Sequence, residues 1–166
     1  MSVPDRITSN LTQTRDEWRR IGAGAWLFYD FVLAQGRYYP GQCLPSRYRR
    51  RAPRACFFNA RSLVLGSKRL RYCEGFALSL RLGIPFEHAW AVTQTDEVID
   101  PTLADANLYQ FFGLPFDRAW LRREWRWTGI LRDDIGVYRA EVVRVLAPDW
   151  VRDVYEPAKH ALKSML

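Results

Sequence analysis

Apolar and polar positions follow a strand-like pattern in the middle of the chain. Residues 86–93 form an apolar run that predicts a strand, and residues 97–99 predict a second. The polar tripeptide Gln94-Thr95-Asp96 lies between them and predicts the turn of a hairpin. Asp100-Pro101 ends the second strand, because proline cannot continue a ladder of backbone hydrogen bonds. A further strand is predicted over residues 71–80, although residues 77–82 also fit a helix.

Helical spacing of apolar residues marks the segments on either side of this hairpin. Residues 14–35 predict a first helix, with Asp16 and Glu17 in its first turn and Gly36 after its end. Residues 56–66 predict a second helix that stops at Gly66. The proline-containing stretch 38–54 predicts a loop, and residues 111–116 predict an apolar turn. Further helices are predicted from about residue 117 to 127, over 134–146 and over 149–166.

These elements predict the α+β fold class, with an antiparallel sheet packed against helices on one face. At 166 residues and 48% hydrophobic content, the chain is long and apolar enough for one domain with its own core. We expect a single domain, residues 1–166. It comprises the N-terminal helix 14–35, a core at 55–102 that carries the candidate chemistry, and a C-terminal helical part at 117–166.

Compartment and cofactor content follow from the termini and the cysteines. No apolar stretch is long enough to span a membrane, and the first residues lack a signal-peptide pattern. We expect a cytoplasmic protein, bacterial or encoded by a phage, without membrane contact. The cysteines Cys43, Cys56 and Cys73 are an odd number at irregular spacing, which predicts free thiols in a reducing compartment. With no CxxC pair and two distant histidines, we expect no metal and no cofactor.

The charge balance adds a possible partner surface. The net charge is +7, and nearly all of the positive charge is arginine, which binds phosphate and carboxylate in a bidentate way. The densest basic cluster is Arg47, Arg49, Arg50, Arg51 and Arg54, directly before Cys56. This cluster is consistent with a nucleic acid, an acidic protein or an anionic substrate as partner. A general bias toward arginine would produce the same count.

Three residue types in chain order indicate nucleophilic catalysis. Cys56 heads a predicted helix, where unpaired N–H groups and the helix dipole lower the pKa of a thiol. His88 lies on the first hairpin strand and Asp100 ends the second, so the two can be cross-strand neighbours. In this arrangement Cys56 is the nucleophile, His88 the base, and Asp100 the residue that fixes the imidazole tautomer.

The motifs His88-Ala89-Trp90 and Asp100-Pro101-Thr102, preceded by a cysteine on a helix, resemble the core of the transglutaminase-like superfamily. The resemblance covers roughly residues 55–102 and extends to small bacterial and phage proteins of this type. It implies a papain-like arrangement of cysteine, histidine and aspartate, with Cys56, His88 and Asp100 in those roles. It also implies an amide- or ester-bearing substrate, since the superfamily includes transglutaminases, peptidases and amidases.

Cys73 is an alternative nucleophile, because the segment after it can be read as a helix followed by Gly83-Ile84-Pro85. The segment between Cys73 and His88 leaves little room for a helix and a strand, so Cys56 is favoured. Five further residues are neighbours of the candidate site, and each could either contact substrate or serve the packing of the fold: Asn59, Tyr72, Glu74, Trp90 and Arg54.

Two functions follow as hypotheses. The first is acyl transfer or amide hydrolysis through a thioester on Cys56, with water or an amine as the acceptor. The second is a catalytically silent protein of the same fold that binds nucleic acid or an acidic protein through the arginine cluster.

Overall fold

The strands of this protein form one antiparallel sheet, and its helices pack on that sheet. The structure is a computed structural model that describes residues 3–21, 26–116 and 118–123. The described helices are Val3–Arg20 (α1), Trp26–Gln35 (α2), Cys56–Leu65 (α3) and Arg118–Arg123 (α4). The described strands are Arg37–Pro40 (β1), Arg71–Ser79 (β2), Pro85–Val92 (β3), Val98–Ile99 (β4) and Tyr109–Phe116 (β5), with one 3-10 turn at Ala106–Leu108. The α+β class is therefore as the hydrophobic pattern predicts.

The sheet has the order β1-β5-β2-β3-β4. The central strand β2 pairs along nearly its whole length with β3 on one side and β5 on the other. The short strand β4 pairs with β3 only at Ala91 and Val92. The β3 residues before Ala91 therefore extend beyond this partner, and the start of α3 packs against β3.

The two faces of the sheet bury two separate apolar clusters. The first is formed with the helices and contains side chains from α1 to α4 and alternate sheet residues such as Tyr72, Phe76 and Ala89. The second lies on the other face and contains Tyr39, Cys73, Ala77, Trp90, Val92, Val98, Ala106 and Phe111. Because successive strand residues face opposite sides, Cys73 and Trp90 share the second cluster while Tyr72 and Ala89 lie in the first.

A pair of glycines lets two central strands approach closely. Gly75 of β2 lies opposite Gly113 of β5, and His88 of β3 lies opposite Gly75 on the other side. A Cβ atom at Gly75 would lie 2.3 Å from the carbonyl oxygen of Phe112, and one at Gly113 would lie 2.2 Å from that of Glu74. No other residue type fits this crossing without moving the backbone, so the glycines set the spacing of the sheet beside His88.

The structure corrects three expectations from the sequence. The predicted helix 14–35 is instead the two helices α1 and α2, and residues 22–25 between them, with Gly22 and Gly24, lie outside the described residues. The predicted loop 38–54 begins with strand β1, and the predicted turn 111–116 belongs to strand β5. β1 pairs with β5 only as far as Gly113, so Pro115 lies where the strand has a partner on one side only. A strand tolerates the missing N–H of proline at such a place.

Other predicted elements are confirmed or lie beyond the description. The helix starting at Cys56, the strand that carries His88 and the following short strand are present with small shifts at their ends. The strand predicted over residues 71–80 is present as Arg71–Ser79, and residues 77–82 do not form a helix. The predicted helices 134–146 and 149–166 lie outside the described residues, as do Asp117 and the residues after Arg123 in the predicted helix 117–127. In the part of the chain that the structure describes, no helix is long and apolar enough to cross a membrane.

Candidate active site

Cys56 is the first residue of α3. The preceding residue, Ala55, makes no side-chain cap, and the N–H of Asn59 is bonded to the Ala55 carbonyl at 2.8 Å. The backbone N–H groups before Asn59, in the first turn of the helix, have no carbonyl acceptor within the helix. They remain available for negative charge on the thiol or on a substrate oxygen.

His88 and Asp100 form a buried hydrogen-bonded pair. The ring Nε2 of His88 lies 2.7 Å from Oδ2 of Asp100, and both side chains are almost completely shielded from solvent. The second carboxylate oxygen, Oδ1, accepts the backbone N–H groups of Thr102 at 2.7 Å and Leu103 at 3.1 Å. Asp100 is therefore held by three donors, and its orientation fixes that of the imidazole ring.

The other side of the imidazole faces the cysteine. Cys56 and His88 share a side-chain hydrogen bond, and because Nε2 is bonded to Asp100, Nδ1 is the ring nitrogen left for the thiol. Backbone N–H groups of Ala89 and Phe57 also donate to the sulfur. The structure thus brings together all three residues that the sequence nominated, in the order thiol, imidazole, carboxylate.

Electrostatics favour the charged form of this pair. Burial raises the pKa of the Cys56 thiol, but the hydrogen bond and positive charge of His88, with the two backbone donors, outweigh burial and leave that pKa lowered. Burial lowers the pKa of His88, but the hydrogen bonds and negative charges of Asp100 and Cys56 raise it to about 9. A thiolate and an imidazolium therefore coexist between the lowered pKa of the thiol and about pH 9.

Aromatic rings enclose the imidazole. The ring centroid of His88 lies 5.6 Å from that of Phe86, 5.9 Å from Phe111 and 6.5 Å from Trp90, whose indole is nearly parallel to it. Phe86 is 37% exposed, and Phe58, two residues after Cys56, is 46% exposed. The site is consequently dry at the imidazole and open at Cys56, which is partly buried.

Cys73, the alternative nucleophile, lies in a different environment. It lies opposite Trp90 in the sheet and is fully buried in the second apolar cluster, with its sulfur 3.8 Å from the Tyr39 hydroxyl. Burial raises the pKa of the Cys73 thiol to about 12. The sulfur that contacts His88 is that of Cys56, not that of Cys73.

Asn59 joins the two halves of the site. It is buried in α3, one turn after Cys56, and its side-chain Nδ2 donates to the carbonyl of Ala52 at 2.7 Å and to the hydroxyl of Thr102 at 3.0 Å. Thr102 in turn donates its N–H to Asp100. The amide of Asn59 therefore connects the cysteine helix to the segment that holds the carboxylate.

The remaining nominated residues occupy three different places. Tyr72 and Glu74 are buried in β2, and the Tyr72 hydroxyl donates to the Glu74 carboxylate. Burial and the Glu74 charge raise the pKa of Tyr72 well above its usual value. Trp90 is fully buried behind His88, and its Nε1 has no hydrogen-bond partner among the described residues. Only Arg54 is exposed to solvent, two residues before Cys56.

Sequence reasoning missed several contributors to the site. The backbone N–H of Ala89 depends on where β4 stops, and those of Thr102 and Leu103 depend on the turn after Asp100. Main-chain donors carry no residue-type signal, so the sequence could not nominate them. Phe86 could have been found, because it lies two residues before His88 and therefore on the same strand face.

The comparisons with known proteins leave the site to be interpreted from its geometry. The chain matches no family model, and no curated protein and no solved structure matches it significantly. Among the described residues, no cluster of three or more histidine, cysteine, aspartate or glutamate side chains is arranged to hold a metal ion.

Proposed function

We propose that this protein is a cysteine-dependent acyltransferase or amide hydrolase of transglutaminase-like type, with Cys56 as nucleophile, His88 as acid and base, and Asp100 as the orienting residue. The observation that carries the proposal is the continuous contact from the Cys56 thiol through His88 to Asp100, with a lowered thiol pKa. Such an activated thiolate at a helix N-terminus, next to an imidazolium, is the arrangement that acyl transfer requires.

In the first half of the reaction, the Cys56 thiolate attacks the carbonyl carbon of an amide or ester. A sulfur–carbon bond forms while the carbonyl electron pair moves to oxygen, and N–H groups at the start of α3 are suited to stabilise that charge. The imidazolium of His88 then gives its proton to the leaving amine or alcohol as the bond to the carbonyl carbon breaks. The product is a thioester on Cys56, with His88 neutral.

In the second half, water or an amine attacks the thioester carbon. Neutral His88 accepts the proton of the attacking group, the sulfur–carbon bond breaks, and the electron pair returns to Cys56. Asp100 keeps the imidazole of His88 in the same tautomer throughout, because its Oδ2 accepts from Nε2 while its Oδ1 is held by two backbone N–H groups. Hydrolysis and transfer differ only in the acceptor.

The second candidate function is binding without catalysis, through the exposed arginines before Cys56. A protein that binds nucleic acid through these arginines should lose affinity steeply as salt rises. Salt-insensitive or absent binding to nucleic acid and to acidic proteins would remove this candidate.

A thioester trap tests the proposed catalysis directly. The protein is mixed with p-nitrophenyl acetate at neutral pH, quenched in acid, and digested for mass spectrometry. We expect an acetyl group on the peptide that contains Cys56, strongly reduced in a His88→Ala variant. The matched control is Cys73→Ala, which retains the acetylated Cys56 peptide. An absence of acetylation at Cys56 during ester turnover, or equal acetylation without His88, would refute the assignment.

Addition of a primary amine to the same reaction distinguishes the two acceptors. Formation of the N-acetyl amine at the expense of acetate would identify a transferase, whereas acetate alone would identify a hydrolase.

A further inference from the structure

The segment before Cys56 forms a surface that we call the basic loop, residues 47–54. Its arginines are all exposed: Arg47, Arg49, Arg50, Arg51 and Arg54. Arg47 lies over the ring of Tyr48, with its guanidinium carbon 5.1 Å from the ring centroid. The ion pairs that the structure shows between arginine and acidic side chains involve Arg15, Arg37 and Arg71, and none lies in the basic loop.

Three hydrogen bonds hold the basic loop against the segments that carry Cys56 and Asp100. The N–H of Arg51 donates to the carbonyl of Pro101 at 2.8 Å, and the guanidinium of Arg50 donates to the carbonyl of Leu103 at 2.6 Å. The carbonyl of Ala52 accepts the side chain of Asn59 in the cysteine helix. The loop therefore lies beside both the segment that carries Asp100 and the helix that carries Cys56.

Arg54 has an unfavourable backbone conformation at the end of this loop. Its φ is 61°, in the left-handed region that glycine adopts readily and other residues rarely do. The other described non-glycine residue with positive φ is Asp96, whose carboxylate pairs with Arg37 and Arg71. The guanidinium of Arg54, in contrast, has no hydrogen bond or ion pair with any part of the chain that the structure describes. The backbone conformation at this position therefore gives no reason for an arginine.

We propose that the basic loop is the substrate-recognition wall of the Cys56 site, and that Arg54 binds a carboxylate on the acyl donor. The inference rests on the proposed function and names its substrate class: an amide or ester with a negatively charged group near the reacting carbonyl. The planar guanidinium pairs with a carboxylate through two parallel hydrogen bonds, so it selects for geometry as well as for charge.

A pair of alkylating reagents tests this without knowledge of the natural substrate. Iodoacetate and iodoacetamide both react by attack of the thiolate on the CH₂ carbon, where a sulfur–carbon bond forms and iodide leaves with its electron pair. They differ in that iodoacetate carries a carboxylate. The ratio of their rates at Cys56, measured by peptide mass spectrometry at neutral pH and low salt, therefore reports anion recognition beside the thiol.

Arg54→Gly is the decisive variant, because glycine suits the left-handed backbone and the fold is expected to persist. We expect the iodoacetate-to-iodoacetamide ratio to fall about three- to tenfold in this variant. Arg54→Lys keeps the charge without the guanidinium fork and should give an intermediate ratio. Arg69→Gly is the matched control: Arg69 is also exposed, but it lies beyond the far end of α3, roughly 15 Å along the helix. Its ratio should stay within about twofold of the wild type.

The outcomes separate this inference from the proposed function. An Arg54→Gly ratio equal to that of the wild type would overturn the role of Arg54, even if iodoacetamide still modifies Cys56 rapidly. An equal fall in Arg69→Gly would overturn it too, because the effect would then reflect net charge. If Cys56 of the wild type reacts with iodoacetamide as slowly as an ordinary thiol, the proposed function itself fails and this inference fails with it.

Discussion

Two cysteines of this chain lie close to the same strand, yet their surroundings give them opposite chemistry. Cys56 begins a helix, is partly exposed and shares a hydrogen bond with His88, so the pKa of its thiol is lowered. Cys73 lies opposite Trp90 inside the sheet, where burial raises the pKa of its thiol to about 12. Burial is the largest influence on the pKa of both thiols. What separates them is the imidazolium and backbone donors at Cys56, which outweigh it.

The positions of the two cysteines in the fold account for this difference. The helix start and the end of β4 leave backbone N–H groups near Cys56, whereas Cys73 lies within a strand that is paired on both sides. The pKa of each thiol therefore depends on the donors and charges that its place in the fold supplies. Substitutions in each region should affect that region and leave the other unchanged.

The largest expected effect is the loss of the nucleophile. Cys56→Ala should lower ester or amide turnover by about 10³-fold or more, because no thiolate remains to form the acyl-enzyme. Cys73→Ala, the matched change in the sheet, should keep turnover within about threefold of the wild type. Hydrolysis of p-nitrophenyl acetate measures both. Equal losses in the two variants would contradict the assignment of Cys56 as the nucleophile.

The next effect concerns the carboxylate. Asp100→Asn should lower turnover by about 10²-fold, because the imidazole loses the partner that orients it and stabilises its charge. The hydrogen bond to Asp100 also raises the pKa of His88. The alkaline limb of the pH–rate profile should therefore shift to lower pH in the Asp100→Asn variant. In the wild type this alkaline limb should lie near pH 9, where His88 loses its proton, and the acid limb should follow the lowered pKa of Cys56.

Asp105→Asn provides the control for the carboxylate, since Asp105 is exposed and its side chain makes no helix-cap hydrogen bond. Its pH profile should match the wild type. An Asp100→Asn profile with an unmoved alkaline limb would contradict the assigned role of Asp100.

A smaller effect is expected at the connection between the helix and the carboxylate segment. Asn59→Ala leaves the carbonyl of Ala52 and the hydroxyl of Thr102 without their donor, which should cost about 1–3 kcal/mol of unfolding free energy. The rate of Cys56 alkylation should fall by about tenfold, because the helix is less firmly held against His88. Denaturant unfolding and alkylation kinetics measure the two effects. A variant with lower stability but an unchanged rate of Cys56 alkylation would leave Asn59 a purely structural residue.

The smallest expected effect is in the sheet. Tyr39→Phe removes the hydroxyl that contacts Cys73 and accepts from Arg37, at a cost of about 1 kcal/mol. Alkylation of Cys56 should stay within about twofold of the wild type, since the Tyr39 ring packs on Trp90 and its hydroxyl contacts Cys73 and Arg37 rather than the Cys56–His88 pair. A large change at Cys56 would show that the two regions are coupled.

The sequence predicted the helix that begins at Cys56 and the hairpin well, because each has a local signal. Gly66 follows the apolar spacing of α3, and a polar turn separates β3 from β4. The prediction from the sequence was wrong at β1 and β5, where prolines and glycines indicated loops. Both strands are held by pairing between distant parts of the chain, and such pairing overrides local propensity.

The same distinction holds for the site. Cys56, His88 and Asp100 were nominated from residue type and order, and chain spacing already favoured Cys56 over Cys73. The structure adds that the sulfur beside His88 is that of Cys56. Tyr72, Glu74 and Trp90 have residue types that suit a substrate site, yet the structure buries all three. Strand alternation shows which residues share a face, but the sequence alone does not show which face the helices cover.

We would first follow the pH dependence of alkylation separately at Cys56 and Cys73, with iodoacetamide and peptide mass spectrometry, to test whether His88 activates the Cys56 thiol. We expect Cys56 to react with a midpoint below that of an ordinary thiol, and His88→Ala to raise this midpoint. Cys73 should stay unmodified in the folded protein across the same range. A Cys56 midpoint at or above that of an ordinary thiol and unchanged by His88→Ala, or faster reaction at Cys73, would show that His88 does not activate Cys56.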